Sequence, residues 1–280
     1  MTAPIRAARD EPVTIRATEG ATLHGRLIVP PGARAAAVIH PATGVPQGYY
    51  AAFAEWLARE RGVAVLLYDP RGFGASTDGP VRRSRATMTD WGVRDQQAAR
   101  DWLAAALPDR PLWVVGHSLG GMMLPFQTGL AGIARVVTVC SGAVHLTDHP
   151  WPYRALAASF WWGHGAALTA AVGHVPAWSG LGAAIPGGVF RQWRLWCTSR
   201  GFHSADPALP APDASALTCP VRMVAAADDP MCPPASVWRL MQAYPQASKA
   251  QVVLRPDERP IGHFGVFRRA NAGLWPGLVD

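Results

Sequence analysis

An alternation of short apolar runs with amphipathic segments most constrains the fold of this chain. Most of the apolar runs carry no polar alternation, which is typical of strands buried on both faces of a parallel sheet. The segments 47–62 and 89–107 between them have apolar residues at helical spacing. The predicted strands, most of them apolar along their whole length, lie within 34–41, 63–76, 112–118, 134–142, 219–229 and 250–256. The pattern predicts an α/β fold, with a mostly parallel sheet and helices on both faces.

Two regions depart from this alternation. Residues 11–32 alternate apolar and polar side chains around Glu19-Gly20, so they predict an antiparallel hairpin at the start of the sheet. The stretch 143–218 is rich in tryptophan, glycine and proline and lacks the alternation. We interpret its central part, 145–205, as a cap inserted into a core made of 1–144 and 206–280. A run of ordinary core helices is the alternative for its C-terminal third.

Composition excludes several classes of function. The net charge of +7 comes mostly from arginines scattered along the 280 residues, whereas nucleic-acid binders concentrate them on one face. The four cysteines form no CxxC pair, so the sequence predicts neither a metal site nor a cofactor, and we expect a reduced, cytoplasmic protein. The first fifteen residues contain no apolar core of a signal peptide.

The stretch 155–175 has about the length of a membrane span and contains no aspartate, glutamate, lysine or arginine. However, it includes three glycines and two histidines, and most of its apolar residues are alanines, which insert weakly. We therefore expect helices over an apolar pocket and no integral membrane span.

The motif Gly116-His117-Ser118-Leu119-Gly120 follows a predicted strand and precedes a predicted helix. In that context a serine stands on a sharp turn at the carboxyl end of the sheet, and small glycines let the neighbouring backbone come close. We predict that Ser118 is a nucleophile. A glycine-serine turn without chemistry is the alternative.

A serine hydroxyl needs a base, and the acid and the histidine should follow it in that order. His263 lies on a loop after the last predicted strand, so it is the predicted base. Asp228 and Asp229 both end the preceding strand, and only one of them can face the histidine. We select Asp229 and keep Asp228 as the alternative.

The backbone N–H of Leu119 is the first predicted oxyanion donor, because it opens the helix after the nucleophile. A second donor should come from the loop at 39–45. Pro41 has no N–H, so Ala42 or Thr43 must donate, and Ala42 is the first choice. Candidate substrate contacts are Thr43, Tyr49, Phe73, Trp161 and Trp193.

These motifs, together with YDPRGFGAS at 68–76 and GHFGVF at 262–267, resemble the α/β-hydrolase superfamily over nearly the whole chain. The segments HPATGVPQGYY and QWRLWC further resemble a bacterial group of uncharacterised α/β hydrolases with a tryptophan-rich cap. The resemblance implies a Ser118–Asp229–His263 triad with Ala42 and Leu119 as oxyanion donors. The superfamily often has His-Gly before the oxyanion residue, whereas this chain has His40-Pro41.

The expected function is hydrolysis of an ester or thioester of an apolar small molecule through an acyl-enzyme. The first alternative is acyl transfer by the same triad to an acceptor other than water. The second is a ligand-binding protein on a hydrolase fold that has no activity. A membrane-peripheral lipase would require 155–175 to be exposed.

Overall fold

A computed structural model of the protein describes residues 9–280. The first eight of the fifteen residues in which no signal peptide is expected lie outside the described part of the chain. Eight strands form one sheet in the order β1-β2-β4-β3-β5-β6-β9-β10. The remaining two, β7 and β8, pair with each other. The strands are β1 Arg9–Arg16, β2 Thr22–Val29, β3 Ala35–His40, β4 Val63–Tyr68, β5 Leu112–His117, β6 Ile133–Val139, β7 His174–Val175, β8 Ile185–Pro186, β9 Val221–Ala226 and β10 Lys249–Leu254.

The predicted hairpin is confirmed: β1 and β2 are antiparallel, and the turn places Glu19 and Gly20 at φ 60° and 73°. The other strands from β3 onward in the large sheet pair in parallel, and β2 joins them through an antiparallel pairing with β4. Every residue of β3 and β4 is buried, as their unbroken apolar sequences predicted.

Helices flank the sheet, as the amphipathic spacing predicted. The helices are α1 Ala51–Arg61, α2 Gln96–Ala106, α3 Leu119–Met122, α4 Tyr153–Ala158, α5 His164–Val172, α6 Gly187–Thr198, α7 Pro234–Met241 and α8 Pro276–Val279. A 3₁₀ turn, Gln47–Tyr50, leads into α1, and π-helical turns Asp90–Asp95 and Ser159–Gly163 precede α2 and α5. Gly62 ends α1 in the left-handed conformation with φ 60°.

The helix expected from Leu119 to about Leu130 is much shorter, and that expectation is wrong. Helix α3 ends at Met122, and 3₁₀ turns follow at Leu124–Phe126 and Leu130–Gly132. Pro125 has no N–H for an α-helical hydrogen bond, and Gly120 and Gly121 are poor helix formers. Apolar periodicity alone did not show this break.

The segment 145–205 stands between β6 and β9 in the chain and contains α4, α5, α6 and the small β7–β8 pair. A stripe of buried residues at four-residue spacing, Ala157, Trp161, Gly165 and Thr169, faces the interior. Within residues 9–280 no helix combines the length and the apolar character that crossing a bilayer requires.

Candidate active site

Ser118 lies between β5 and α3 with φ 53° and ψ −117°. A non-glycine residue at positive φ costs on the order of 1–3 kcal/mol, so the surrounding structure must hold it there. Its N–H bonds the carbonyl of Val139 on β6 at 2.9 Å, and its carbonyl accepts the N–H of Gly121 at 3.0 Å. Ser118 is half-buried between fully buried neighbours, so its side chain projects from a fixed turn.

The glycines around Ser118 are required by close backbone contacts. A Cβ on Gly116 would lie 2.3 Å from the carbonyl oxygen of Gly120, and one on Gly120 would lie 2.0 Å from that of His40. Neither clash can be relieved by a side-chain rotation, because the opposing atoms are backbone. The sharp turn and the packing of β3 against α3 therefore both depend on glycine at these positions.

His263 and Asp229 form the predicted pair. His263 Nδ1 lies 2.8 Å from Asp229 Oδ2, and both side chains are buried. The other carboxylate oxygen, Oδ1, accepts the N–H groups of Met231 at 2.8 Å and Cys232 at 3.0 Å. Burial opposes ionisation of Asp229, but the charge and hydrogen bond of His263 and the two N–H groups outweigh it, so the pKa is lowered. An ionised carboxylate only accepts, so Nδ1 carries the proton and Nε2 is left as a base.

Asp228, the alternative acid, has a different partner. Its two oxygens accept the backbone N–H groups of Ile261 and Gly262, each at 2.9 Å. These residues come directly before His263, so Asp228 fixes the loop that carries the histidine while Asp229 bonds the ring itself. Both aspartates lie beyond Ala226, the last residue of β9, and both bond the loop at 261–263. Their hydrogen-bond partners distinguish them, whereas the strand alternation used in the sequence argument does not.

His117 joins three parts of the site through buried hydrogen bonds. Its Nε2 lies 2.9 Å from the carbonyl oxygen of His263, which can only accept, so Nε2 carries the proton. Its Nδ1 then accepts from the Tyr50 hydroxyl at 2.8 Å, and that hydroxyl accepts the N–H of Ala42 at 2.9 Å. Burial, together with His263, lowers the pKa of His117 to about 3, so the ring stays neutral. The role of Tyr50 was missed, and no sequence pattern marked it.

The two candidate oxyanion donors on the β3 loop differ. The N–H of Ala42 is committed to Tyr50, whereas within residues 9–280 that of Thr43 has no hydrogen-bond partner. Leu119 opens α3, so its N–H has no acceptor within the helix. Ala42, Thr43 and Ser118 all line the same cavity.

That cavity has a volume of about 330 Å³ and lies between the carboxyl ends of the strands and segment 145–205. Ser118 and His263 line it on the sheet side, although no direct hydrogen bond joins their side chains in the described residues. The opposite wall is aromatic and aliphatic, and it includes Tyr153, Phe160, Trp161 and Trp193. Among the described residues, no aspartate, glutamate, lysine or arginine lines this space.

Only some of the predicted substrate-contact residues line the cavity. Thr43, Trp161 and Trp193 line the cavity. Tyr49 does not, and its hydroxyl donates to the carbonyl of Phe264. Phe73 is also absent from the lining, because it packs in the core against Trp91. His149 and His164 also line the cavity.

Cys140 lies after β6 at φ 50°, and its sulfur is within 4.8 Å of the donor atoms of Asp229 and His263. Burial, reinforced by the nearby Asp229 carboxylate, holds the pKa of this thiol well above its usual range. The thiol is therefore protonated at neutral pH. A metal ion here would have to replace the Asp229–His263 hydrogen bond and deprotonate the thiol, so the group fits a neutral pocket wall better than a metal site.

The family model described as the alpha/beta hydrolase family matches residues 24–271. The chain belongs to this family. The match includes the turn at Ser118, the strand end at Asp229 and the loop of His263, so the site of this hydrolase-family member lies inside the shared fold. The resemblance inferred from the motifs is confirmed for the superfamily.

Solved structures show the same fold at low sequence identity. DcsB, determined with its substrate analogue, aligns with TM-score 0.61 and 17% identity over 96% of both chains. An esterase from Pyrococcus furiosus aligns with TM-score 0.62 and 13% identity, covering 97% of this chain and 88% of that one. A serine hydrolase without lid from Xanthomonas campestris aligns with TM-score 0.53 and 14% identity over 99% of both chains. No curated protein matches the sequence.

Proposed function

We propose that this alpha/beta hydrolase cleaves a neutral ester or thioester of an apolar small molecule through an acyl-enzyme on Ser118. One observation carries the proposal: the strained Ser118 turn and the Asp229-bonded His263 meet in one apolar cavity. Strain at a single polar residue in a cavity is typical of catalytic sites.

In this mechanism, His263 Nε2 takes the proton of the Ser118 hydroxyl as the oxygen attacks the substrate carbonyl carbon. Asp229 holds the ring with Nδ1 protonated and stabilises the imidazolium that forms. The C–O or C–S bond then breaks, and the imidazolium gives its proton to the leaving group. His263 then takes a proton from water as the water oxygen attacks the acyl carbonyl carbon. The bond to the Ser118 oxygen breaks, and the imidazolium returns the proton to that oxygen, which releases the acid and the free serine.

The oxyanion donors in this proposal are the N–H groups of Leu119 and Thr43. Ala42 was the first choice from the sequence, but its N–H already bonds Tyr50, whereas that of Thr43 is free within the described chain. One of these N–H groups directly follows the serine, and the other belongs to a residue that lines the same cavity. Binding the charge that develops on the carbonyl oxygen is worth several kcal/mol in an enclosed site (roughly 3–4 per donor).

The cavity lining favours an uncharged substrate. A carboxylate or phosphate inside it would lose its hydration without gaining an arginine or lysine partner, because none lines the space in the described residues. We therefore rank simple apolar esters above acyl-CoA thioesters, whose phosphates would have to remain outside. Segment 145–205 acts in this proposal as the cap that supplies the aromatic wall.

The first experiment is labelling with a fluorophosphonate probe, which needs an activated serine and an oxyanion site. Wild-type protein should be labelled, Ser118→Ala should not, and Ser179→Ala should be labelled like wild type. Ser179 is the matched control, because it lines the same cavity. Equal labelling of wild type and Ser118→Ala, or none on folded wild type, would reject Ser118 as the nucleophile.

A panel of p-nitrophenyl esters and acyl-CoA thioesters then tests the reaction. We expect turnover of neutral esters that Ser118→Ala lowers by at least about 10³-fold. An increase in ester product on adding an alcohol would identify acyl transfer as the main reaction. Labelling of Ser118 without turnover of any substrate would favour the ligand-binding alternative.

A further inference from the structure

The outer surface of segment 145–205 exposes three large aromatic side chains. Trp151 is 74%, Trp162 53% and Trp178 77% exposed, which is unusual for side chains that bury so much apolar area when they find a partner. Leu156, also 60% exposed, lies on the same segment. Scattered single apolar residues need no explanation, but a group of this size marks an interaction surface.

Each of these three exposed tryptophans lies two residues in sequence from a residue that lines the cavity. Three of the residues that line the cavity are themselves exposed, namely Leu156, His164 and Gly180, so the cavity opens among them. Trp162 is two residues from His164 and Trp178 is two residues from Gly180. Trp151 precedes the cavity-lining Tyr153 by two residues. We call these three tryptophans and Leu156 the mouth face.

The charge of the segment identifies what the mouth face meets. Segment 145–205 contains four arginines, Arg154, Arg191, Arg194 and Arg200, and a single acidic residue, Asp148, which pairs with Arg239 outside the segment. None of the four arginines forms an ion pair within the described chain. The guanidinium of Arg154 bonds only the carbonyls of His149 and Thr147. A second copy of this face would bring like charges together.

We propose that the mouth face docks on the surface of a bilayer containing anionic lipids. Tryptophan is the side chain enriched at the boundary between headgroups and acyl chains, and arginine near an anionic surface contributes attraction. The cavity would then open toward the lipid. This docking goes beyond the proposed reaction, because binding to a bilayer requires neither Ser118 nor turnover.

Sedimentation with vesicles tests the proposal on the full chain. Wild-type protein should bind vesicles of phosphatidylcholine with phosphatidylglycerol more tightly than vesicles of phosphatidylcholine alone, and added salt should weaken the binding. The double variant Trp162→Ala/Trp178→Ala should bind about tenfold more weakly, because it loses the interfacial side chains. Arg191→Gln/Arg200→Gln should lose most of the preference for phosphatidylglycerol.

Trp238→Ala is the matched control, since Trp238 is 55% exposed on α7, outside the segment. It should bind as wild type does, and circular dichroism should show that all variants are folded. Equal loss in Trp238→Ala, no preference for the anionic lipid, or no binding would overturn the proposal. So would a dimer in sedimentation velocity that Trp162→Ala/Trp178→Ala converts to monomer, because the face would then bind a second copy. A positive result with Ser118→Ala protein separates docking from the reaction.

Discussion

The sheet end and segment 145–205 build the two sides of one cavity by different means. On the sheet side, Asp228, Asp229 and His117 have both of their polar atoms hydrogen-bonded, and the partners are mostly backbone groups at 2.8 to 3.0 Å. In the facing wall, the buried ring nitrogen of Trp161 has no hydrogen-bond partner in the described chain, and the same holds on the sheet for His40 Nε2 and Thr138 Oγ1. The side chains that bond His263 and its loop therefore have all their polar atoms hydrogen-bonded, whereas the facing wall is built mainly from packed rings.

Because the sheet side is held by hydrogen bonds and the facing wall by packing, we infer that the two sides have different functions. A hydrogen-bonded frame holds side chains in one geometry, which proton transfer requires over fractions of an ångström. A wall of aromatic rings holds shape by packing alone, and it can exchange residues without moving the reacting groups. Substitutions on the sheet side should therefore change the rate of the chemical step, whereas those in the wall should change which substrate is used.

The sharpest test of this division is the pair Asp229→Asn and Asp228→Asn. Asp229→Asn places an amide against His263 and disfavours the tautomer that leaves Nε2 as a base, so we expect kcat to fall about 10⁴-fold. Asp228→Asn keeps one hydrogen-bond acceptor for the loop and loses the other, so the free energy of unfolding should fall by about 1.5–3 kcal/mol. Its kcat should fall by only about tenfold.

Ester hydrolysis and urea unfolding measured on both variants decide the assignment. The reverse result, with Asp228→Asn losing more activity than Asp229→Asn at equal folding, would make Asp228 the acid. Both residues sit side by side at one strand end, so the pair is matched for position and chemistry.

The aromatic wall gives the second prediction. Trp193→Leu enlarges the cavity opposite Ser118. We expect the ratio of kcat/KM for long-chain to short-chain esters to rise about tenfold, because a hydrophobic pocket discriminates by roughly that factor per added group. Labelling of Ser118 by a fluorophosphonate should persist. Trp238→Leu, outside the cavity, should leave the ratio unchanged, and a Trp193→Leu protein with unchanged selectivity but lost labelling would contradict the division.

The third prediction concerns the hydroxyl of Tyr50. Tyr50→Phe leaves His117 Nδ1 without its donor and frees the N–H of Ala42, so the free energy of unfolding should fall by about 1–3 kcal/mol. Because His117 holds the carbonyl of His263, kcat should fall about tenfold. Tyr68→Phe is the control: its hydroxyl bonds His40 on β3 and has no contact with His263. A comparable loss of kcat in Tyr68→Phe would show that the effect is general.

The sequence predicted the fold well where one periodicity decides the outcome. The strands and the opening hairpin are confirmed, because unbroken apolar runs and strict alternation have few other solutions, although the edge strand β10 has no fully buried residue. The helix after Leu119 was too long, because local breaks at Pro125 override a continuing apolar pattern. The division of the chain into a core and a cap stays a prediction.

At the candidate site, the order of residues along the chain predicted which side chains approach each other, since parallel strands end at the same edge. The proposed preference for Thr43 over Ala42 as oxyanion donor could not come from the sequence, because it rests on a hydrogen bond from Ala42 to Tyr50 eight residues later. Tyr49 shows the same limit: its ring packs against that of Tyr50, but its hydroxyl bonds the carbonyl of Phe264 and it does not line the cavity.

The smallest expected effect is a dependence of stability on pH that both sides share. Burial lowers the pKa of His40 and His117 on the sheet side to about 3, and that of His203 in segment 145–205 to about 4. The nearby Arg100 and His263 add to the shifts of His40 and His117, respectively. In the unfolded chain each ring takes up a proton below its ordinary pKa of 6.5. The folded rings stay neutral until much lower pH, so protons bind preferentially to the unfolded state. The free energy of unfolding therefore decreases as the pH is lowered.

Each of these histidines should remove about 1.4 kcal/mol of unfolding free energy per pH unit between its ordinary and its lowered pKa. His203→Phe removes the contribution of His203 to this pH dependence. Phenylalanine keeps a ring at the position, where the histidine ring packs against Phe126, Trp196 and Phe202. Urea unfolding from about pH 7 to about pH 5 should show a slope shallower by up to that amount, with His24→Gln, an exposed site, unchanged. An unaltered slope in His203→Phe would mean that His203 is hydrated in solution. The two sides would then differ in how tightly they exclude water as well as in their hydrogen bonding.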